Sequence, residues 1–457
     1  MRVDFFEMEK RGSTARTEVL AGLTTFTTMA YIIVVNPAIL AFAGLPTGPS
    51  TVATILAAAF GSIAMGLYAN RPFAVAPYMG ENAFIAFGLA ALGITWTQRL
   101  GAVFWGGLLF AIITLLRVRP WLAAAISPSL KHSFAVGIGL FLALIGLYES
   151  GIVTSFVTGL PPGALAVSRA GTLLPPGAPL KLGDVREPRV LLAIAGFALM
   201  AVLLQRGIRG AILLGMAATA AAGIALGLGT APQAVIAIPF RGDYSLAPVA
   251  LHLDLLGVLQ PRLLPVLLTL FLMGFLDTLG TLVALGSAAG LLDEEGNLTE
   301  IEKPMMVDAA TCMLSGLVGT STAGAYIESA TGIRDGARTG LAAVTTGLLF
   351  LASLFFIPLV EPLQSLRYAY APALIVVGLL MLASARHIAY DDMTELVPAF
   401  ATIAMLVFTY NIANGLTAGL ALHPIVKVAA GRAREVRPGT WVLAAMSFLY
   451  YAFGIPH

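Results

Sequence analysis

Three carboxylates stand where the chain is otherwise almost free of charge: Glu81 in Tyr78-Met79-Gly80-Glu81-Asn82-Ala83, Asp277 in Phe275-Leu276-Asp277-Thr278-Leu279-Gly280-Thr281, and Glu328 in Tyr326-Ile327-Glu328-Ser329-Ala330. An Asp or Lys at the centre of a membrane helix costs about 2.5 to 3.5 kcal/mol on insertion scales, so such groups mark paths for ligands and ions. No Lys or Arg lies mid-run nearby to neutralise them. A substrate, a cation or a proton is then the expected partner, the plainer reading being protonated carboxyls that fix broken helices through backbone hydrogen bonds. Backbone N–H groups of Asn82, Ala83, Ser329 and Ala330, at the starts of two short helices, are candidate donors to a polar ligand. Ordinary N-capping by Asn82 and Ser329 is the competing reading. Donors beside carboxylate acceptors suit a planar heterocycle carrying both kinds of group, whereas a simple anion would be repelled.

Around these lie a polar stripe, Thr24, Thr25, Thr27, Thr28, Tyr31 and Asn36-Pro37, and three aromatic rings, Phe26, Phe84 and Phe275. Thr28 and Phe84 are candidates to face the ligand, although hydroxyls in spans more often bond to backbone carbonyls and rings more often fill the core. Glu149 and Asp308 fall at expected span ends, where solvation is cheap, and are given no role. The five histidines show no metal-ligand spacing, and no phosphate loop, nucleophile elbow or zinc motif occurs. Neither a metal nor another cofactor is expected, and an enzyme is not indicated.

The elements that carry these groups are membrane helices. Of 457 residues 58% are hydrophobic and 11% charged, against about 25% charged in soluble domains. A water-soluble domain is excluded. The net charge of +2 is spread singly along the chain, so there is no nucleic-acid footprint. The single cysteine, Cys312, rules out a disulfide framework. With roughly 20 apolar residues needed per crossing, fourteen spans are expected, near 17–43, 51–69, 72–92, 99–118, 133–149, 189–205, 208–228, 262–290, 304–320, 322–335, 337–360, 366–385, 394–411 and 413–430. The stretch 441–453 is apolar but short, open to being a final span, a re-entrant piece or a helix lying in the membrane interface, and the interface is the preferred reading. The first span has no cleavage site and is expected to be retained. Lys10, Arg11, Arg16, Arg71, Arg117, Arg119, Arg206, Arg209, Arg334, Arg338, Arg386, Lys427, Arg432, Arg434 and Arg437 fall on one side of this arrangement. The chain therefore reads as a multi-pass cell-membrane protein with both termini cytoplasmic.

Two spans make poor continuous helices. One contains Pro72 and Pro77 before Gly80, and the other is rich in Gly, Ser and Thr from Gly319 to Ile327. Irregular backbone is tolerated at membrane depth only where protein covers it or it lines a cavity, so both segments are expected inside, extended and crossing near the midplane. Glu81 and Glu328 stand 247 positions apart in similar surroundings. With seven spans between them, the halves read as inverted repeats, a transporter signature.

Phe275 to Thr281, Ser321-Thr322 with Tyr326 to Ile333, Gly336-Ala337-Arg338-Thr339-Gly340-Leu341, Val34 to Pro37, Lys181 to Asp184 and Tyr410 to Gly415 together resemble the AzgA-like branch of the nucleobase:cation symporters, the adenine/guanine/hypoxanthine permeases. The resemblance implies an all-α fold of fourteen spans in two inverted seven-span repeats, spans 3 and 10 being broken. It implies a core domain of spans 1–4 and 8–11 (17–118 and 262–360) and a gate domain of spans 5–7 and 12–14 (119–228 and 366–430). The gate segment 119–228 includes a long external loop (150–188), and outside the two domains fall a cytoplasmic N-terminus (1–16) and a C-terminal segment (431–457). It places base-binding carboxylates on Asp277 and Glu328 and the span-three asparagine on Asn82, with Ala83, Ser329 and Thr281 alongside. Two positions depart from the pattern. Many members carry a further aspartate where this chain has Gly274, and an apolar residue where it has Glu81. The expected activity is import of a purine base with a proton or other cation, using Glu81, Asp277 and Glu328 for coupling, in a homodimer. Alternatives are a transporter of the same architecture for xanthine, uracil or an anion, or a membrane-embedded protein that does not transport.

Overall fold

The computed structural model describes residues 5–89, 93–116, 121, 125–160, 179–293 and 298–453. Arg117, Arg119 and residues 161–178 of the long loop lie outside the described residues. Nine helices among the described residues are long and apolar enough to cross a membrane: those within 15–42, 47–67, 96–115, 128–149, 188–205, 266–289, 340–365, 367–387 and 412–429. Of the other five expected spans, three are single helices of 15 to 17 residues, Ala211–Ala225, Glu302–Val318 and Met393–Phe408, which at 1.5 Å per residue reach about 22 to 26 Å. The remaining two are the broken spans.

The elements used below are α1 (Ala15–Met29), α2 (Ile32–Phe42), α3 (Thr47–Leu67), β1 (Val75–Pro77), α4 (Met79–Ala83), α5 (Trp96–Leu115), α6 (Pro128–Glu149), α7 (Pro188–Gln205), α8 (Ala211–Ala225), α9 (Leu264–Ala289), α10 (Glu302–Val318), β2 (Ala323–Ala325), α11 (Ser329–Arg334), α12 (Gly340–Ser353), α13 (Arg367–Met381), α14 (Met393–Phe408), α15 (Ile412–Ala429) and α16 (Pro438–Phe453). The first span is interrupted at Ala30-Tyr31, a break its apolar pattern did not announce. The fifth begins at Pro128, five residues before the expected 133, because the Ser127 hydroxyl accepts the Leu130 amide and Pro128 needs no donor at the first helical position.

Helix packing falls into two groups. In one, α10 lies on α5, α12 on α3 and α1 on α12; in the other, α13 lies on α6, α14 on α15 and on α6, and α8 and α13 on α7. Small residues allow close approach: a Cβ on Gly378 would run into the Gly139 carbonyl, and one on Gly340 into Gly66. One buried acid ties helices end to end. Glu18, fully buried in α1, accepts the amides of Arg338 at 2.9 Å and Thr339 at 3.3 Å, just before α12, and so satisfies donors that a helix start leaves free.

The C-terminal helix packs against the bundle. It runs antiparallel along α15. Thr440 donates to the Ala125 carbonyl, next to the start of α6, and Tyr450 and Tyr451 reach Asn414, at the start of α15. Its aromatic end thus lies at the end of α15 opposite Lys427.

Candidate functional site

The two broken spans meet as a two-stranded antiparallel sheet, Val75 opposite Ala325, Ala76 opposite Gly324 and Pro77 opposite Ala323. The ladder extends one bond at each end, from the Tyr78 amide to the Thr322 carbonyl and from the Tyr326 amide to the Ala74 carbonyl, both 2.9 Å. A sheet this narrow leaves outer edges unpaired, and two side chains serve them. The Ser62 hydroxyl from α3 accepts the Val75 amide (2.9 Å) and donates to its carbonyl (3.1 Å). The Cys312 thiol from α10 does the same at Ala323, at 3.4 and 3.0 Å. Buried backbone is thereby satisfied without lengthening either strand. Gly324 is required here, since a Cβ would collide with the Tyr78 phenol. The extended part is Val75–Pro77, within the stretch from Pro72 to Gly80 expected to be irregular.

Each strand feeds a short helix with a carboxylate at its start. Glu328 is half-buried, and its Oε1 accepts the Tyr31 hydroxyl at 2.7 Å. Asp277, on α9, is half-buried, near enough to Glu328 for the two charges to interact, and accepts no hydrogen bond from a described side chain. Along α9 the stripe Asp277, Gly280, Thr281 and Ala284 is open or half-open, while Leu270 to Leu276 is closed. The accessible face of α9 thus begins at Asp277 and continues toward its Ala289 end. Glu81 is different. It is 1% exposed, and the Thr322 hydroxyl is the hydrogen-bonding neighbour of its carboxyl, although neither oxygen closes a bond of good geometry. It lies against Gly274, where a Cβ would sit 3.4 Å from Oε1 and 3.7 Å from Oε2.

Other sequence candidates are walls rather than open surfaces in this conformation. Asn82, Ala83, Phe84 and Ser329 are all fully buried. The Asn82 amide donates to the Tyr78 carbonyl, and the amides of Ser329 and Ala330 donate to Tyr326 and Ile327. The Ser329 hydroxyl accepts the Ala74 amide at 2.9 Å. Thr28 donates to the Thr24 carbonyl at 2.8 Å and touches Thr331. Phe275 packs edge-on against Phe110, and Phe26 against Phe350. Asn36 is a structural hub: it donates to Thr54 and Thr320 and accepts from Ser321, joining α2 and α3 to the approach of β2.

Asp308 corrects the sequence reading. Solvation at a span end was the reason to give it no role, yet it is fully buried. Its Oδ2 accepts Thr278 at 3.0 Å and the Ala325 amide at 3.1 Å, and the Tyr78 hydroxyl is 2.8 Å from Thr278. A continuous polar chain thus joins α4, α9, α10 and β2. The signal was available: Asp308, Thr311, Cys312 and Ser315 recur at i, i+3, i+4 and i+7, a polar face on an apolar helix that only interior packing tolerates.

Apolar spans around two broken helices, paired as strands with acids at their ends, define a multi-pass membrane protein of transporter architecture. The same fold is found in the transmembrane domain of the cyanobacterial bicarbonate transporter BicA, with a TM-score of 0.58 and 15% identity over 88% of this chain and 97% of that one. The chain belongs to the Permease family (Xan_ur_permease), whose family model matches residues 16–418. It is 38% identical to the adenine permease AdeP of Escherichia coli, over 98% of this chain and 95% of that protein. It is 37% identical to the guanine/hypoxanthine permease PbuG of Bacillus subtilis, over 98% and 99%. The chain is a membrane permease and not an enzyme.

Proposed function

We propose that the protein imports purine nucleobases, adenine, guanine or hypoxanthine, by proton symport and alternating access across the cell membrane. The observation that carries this is the facing pair Asp277 and Glu328, half-open to one side at the junction of two broken spans. Carboxylates accept from the N–H groups of a base, and they disfavour an anion in the same place. The names of the relatives, adenine and guanine/hypoxanthine permeases, support the same substrate class. In this reading Asp277, Glu328 and Thr281 contact the base, and Asn82, Ala83, Phe84, Ser329 and Thr28 shape the wall behind it. Glu81, beside the Thr322 hydroxyl but without a hydrogen bond of good geometry, and facing the bare Gly274, carries the transported proton together with Asp277 and Glu328.

The architecture proposed for this cycle is fourteen spans in two inverted repeats. Support comes from the matched roles of Ser62 on β1 and Cys312 on β2 and from the two packing groups, which correspond to core spans 1–4 and 8–11 and gate spans 5–7 and 12–14. With a cytoplasmic N-terminus, the open end of α9 faces the cytoplasm, so this conformation is inward-open. The C-terminal helix, returning along α15, then ends on the outer side, in place of the cytoplasmic C-terminus expected from charge counting. Homodimeric assembly completes the proposal.

The test is uptake of labelled purine by purified protein in liposomes under an imposed pH gradient, with adenine, guanine, hypoxanthine, xanthine and uracil as competitors. Asp277→Asn and Glu328→Gln should abolish uptake at normal membrane levels, each losing charge-assisted bonds worth about 1.5 to 3 kcal/mol. Normal uptake by either variant removes that residue from the site.

A further inference from the structure

Asp277 and Glu328 are both half-buried and close enough for their charges to interact, but they are held differently. Asp277 is tied by no described side chain, while Glu328 is gripped by the Tyr31 hydroxyl at Oε1 and has its own backbone amide as a second hydrogen-bonding neighbour. Tyr31 is 1% exposed and sits at the interruption between α1 and α2, with its backbone in helical conformation but outside both helices. The ring is packed among buried neighbours and touches the region of Tyr326, whose own hydroxyl donates to the Pro77 carbonyl at 2.6 Å. Both tyrosines thus fasten the end of the strand pair, but only Tyr31 does so through a half-buried carboxylate.

We propose that Tyr31 is a positioning residue for transport: its O–H bond fixes one oxygen of Glu328, so that the other is presented in a single direction as acceptor for one N–H group of the base. A carboxylate free to turn about its last torsions offers an acceptor averaged over orientations, and ordering it on binding costs rotamer freedom. Clamping it beforehand moves that cost into folding, the general logic of a preorganised site. The division of labour follows. Glu328 gives the base its orientation, and the unclamped Asp277 adapts to it. The nature of the ligand in this inference rests on the purine reading; the Tyr31–Glu328 bond as a determinant of the carboxylate does not.

Two measurements on the full-length protein in detergent test it. The first needs no ligand. The infrared carboxylate band of Glu328, located by difference against Glu328→Gln, should shift in Tyr31→Phe, which removes one oxygen atom and keeps the ring. An unshifted band overturns the proposal whatever the substrate proves to be. The second uses calorimetric binding of purine and its 1-, 3-, 7- and 9-methyl derivatives. The parent should lose most affinity when one particular nitrogen is methylated. Tyr31→Phe should bind unmodified purine about tenfold more weakly, and its penalty for methylating that same nitrogen should shrink while the other penalties stay. Parallel weakening for every derivative would mark Tyr31 as merely structural and overturn the proposal. A parent that binds no purine would instead refute the substrate reading, leaving the infrared result to decide on the clamp.

Discussion

Replacing Gly274 with aspartate would set a second carboxyl on top of Glu81. The nearest approach is fixed by the backbone: a Cβ at position 274 lies 3.4 Å from Oε1 and 3.7 Å from Oε2 of Glu81. An alanine methyl would just fit there, and an aspartate must turn its carboxyl aside, leaving the two groups about 5 Å apart. At an effective dielectric of about 20, unit charges at about 5 Å repel by about 3 kcal/mol. That is roughly a hundredfold bias against the doubly ionised pair, enough to trap a proton between them through the cycle. Gly274→Asp should therefore retain exchange of labelled purine across liposomes but accumulate it at least about tenfold less under a pH gradient. Gly274→Asn, of equal volume and no charge, should stay close to the parent. Adding Glu81→Gln to Gly274→Asp should restore accumulation, because one carboxyl again occupies this space. Parental accumulation by Gly274→Asp would refute the reasoning. So would equal damage from Gly274→Asn, which would make the effect steric, or a double variant that reaches the membrane and fails to recover.

Two further outcomes are expected. Arg209, before α8, pairs with Asp335, after α11, at 2.8 Å, and Thr24 binds the same carboxyl at 2.7 Å; this joins the proposed gate to the proposed core. Such an exposed pair adds at most about 1 kcal/mol of stability, so cysteines placed at 209 and 335 should leave the protein folded and, once bridged by a short bis-methanethiosulfonate reagent, stop uptake until reduced. Continued uptake by the cross-linked protein would show that these elements do not move apart. A phosphatase reporter fused after residue 457 should be active on the outer side, since Tyr450 and Tyr451 lie at the Asn414 end of α15, and activity confined to the cytoplasm would return the C-terminal helix to the interface.

Much of this molecule could be read before any coordinates. Hydrophobic length placed the long helices, because in lipid a backbone has few ways to satisfy itself, and proline and glycine located both broken segments for the same reason. Glu81, Asp277 and Glu328 stood out because charge is rare in such sequence. What escaped notice depends on distance across the fold. Asp308 looked solvated because it is six residues from the start of its helix; its burial arises from β2 and Thr278 folding over it. The clamp on Glu328 joins residues 297 positions apart, and no local pattern carries such information. The Thr28 hydroxyl and the Ser329 amide looked available for a ligand, yet the Thr24 carbonyl takes the first and the Tyr326 carbonyl the second.

The paired strands raise a last point about how a symmetric scaffold performs a directional task. Under the proposed repeat, Ser62 answers to Cys312, β1 to β2 and Glu81 to Glu328, so the two halves offer matching frames. Their surroundings then diverge. At Glu328 the facing span supplies a phenol that clamps the carboxylate; at Glu81 it supplies Gly274, which contributes no side chain at all. One acid is oriented and half-open to the ligand path, and the other is enclosed without a hydrogen bond of good geometry. An oriented, accessible acceptor suits recognition, because its value lies in direction. An enclosed carboxyl with only the Thr322 hydroxyl beside it suits the handling of a proton, because burying its charge without a counter-charge is costly. Equal frames thus carry unequal chemistry, and the inequality resides in the residues at positions 31 and 274, one on each of the spans that face the strands.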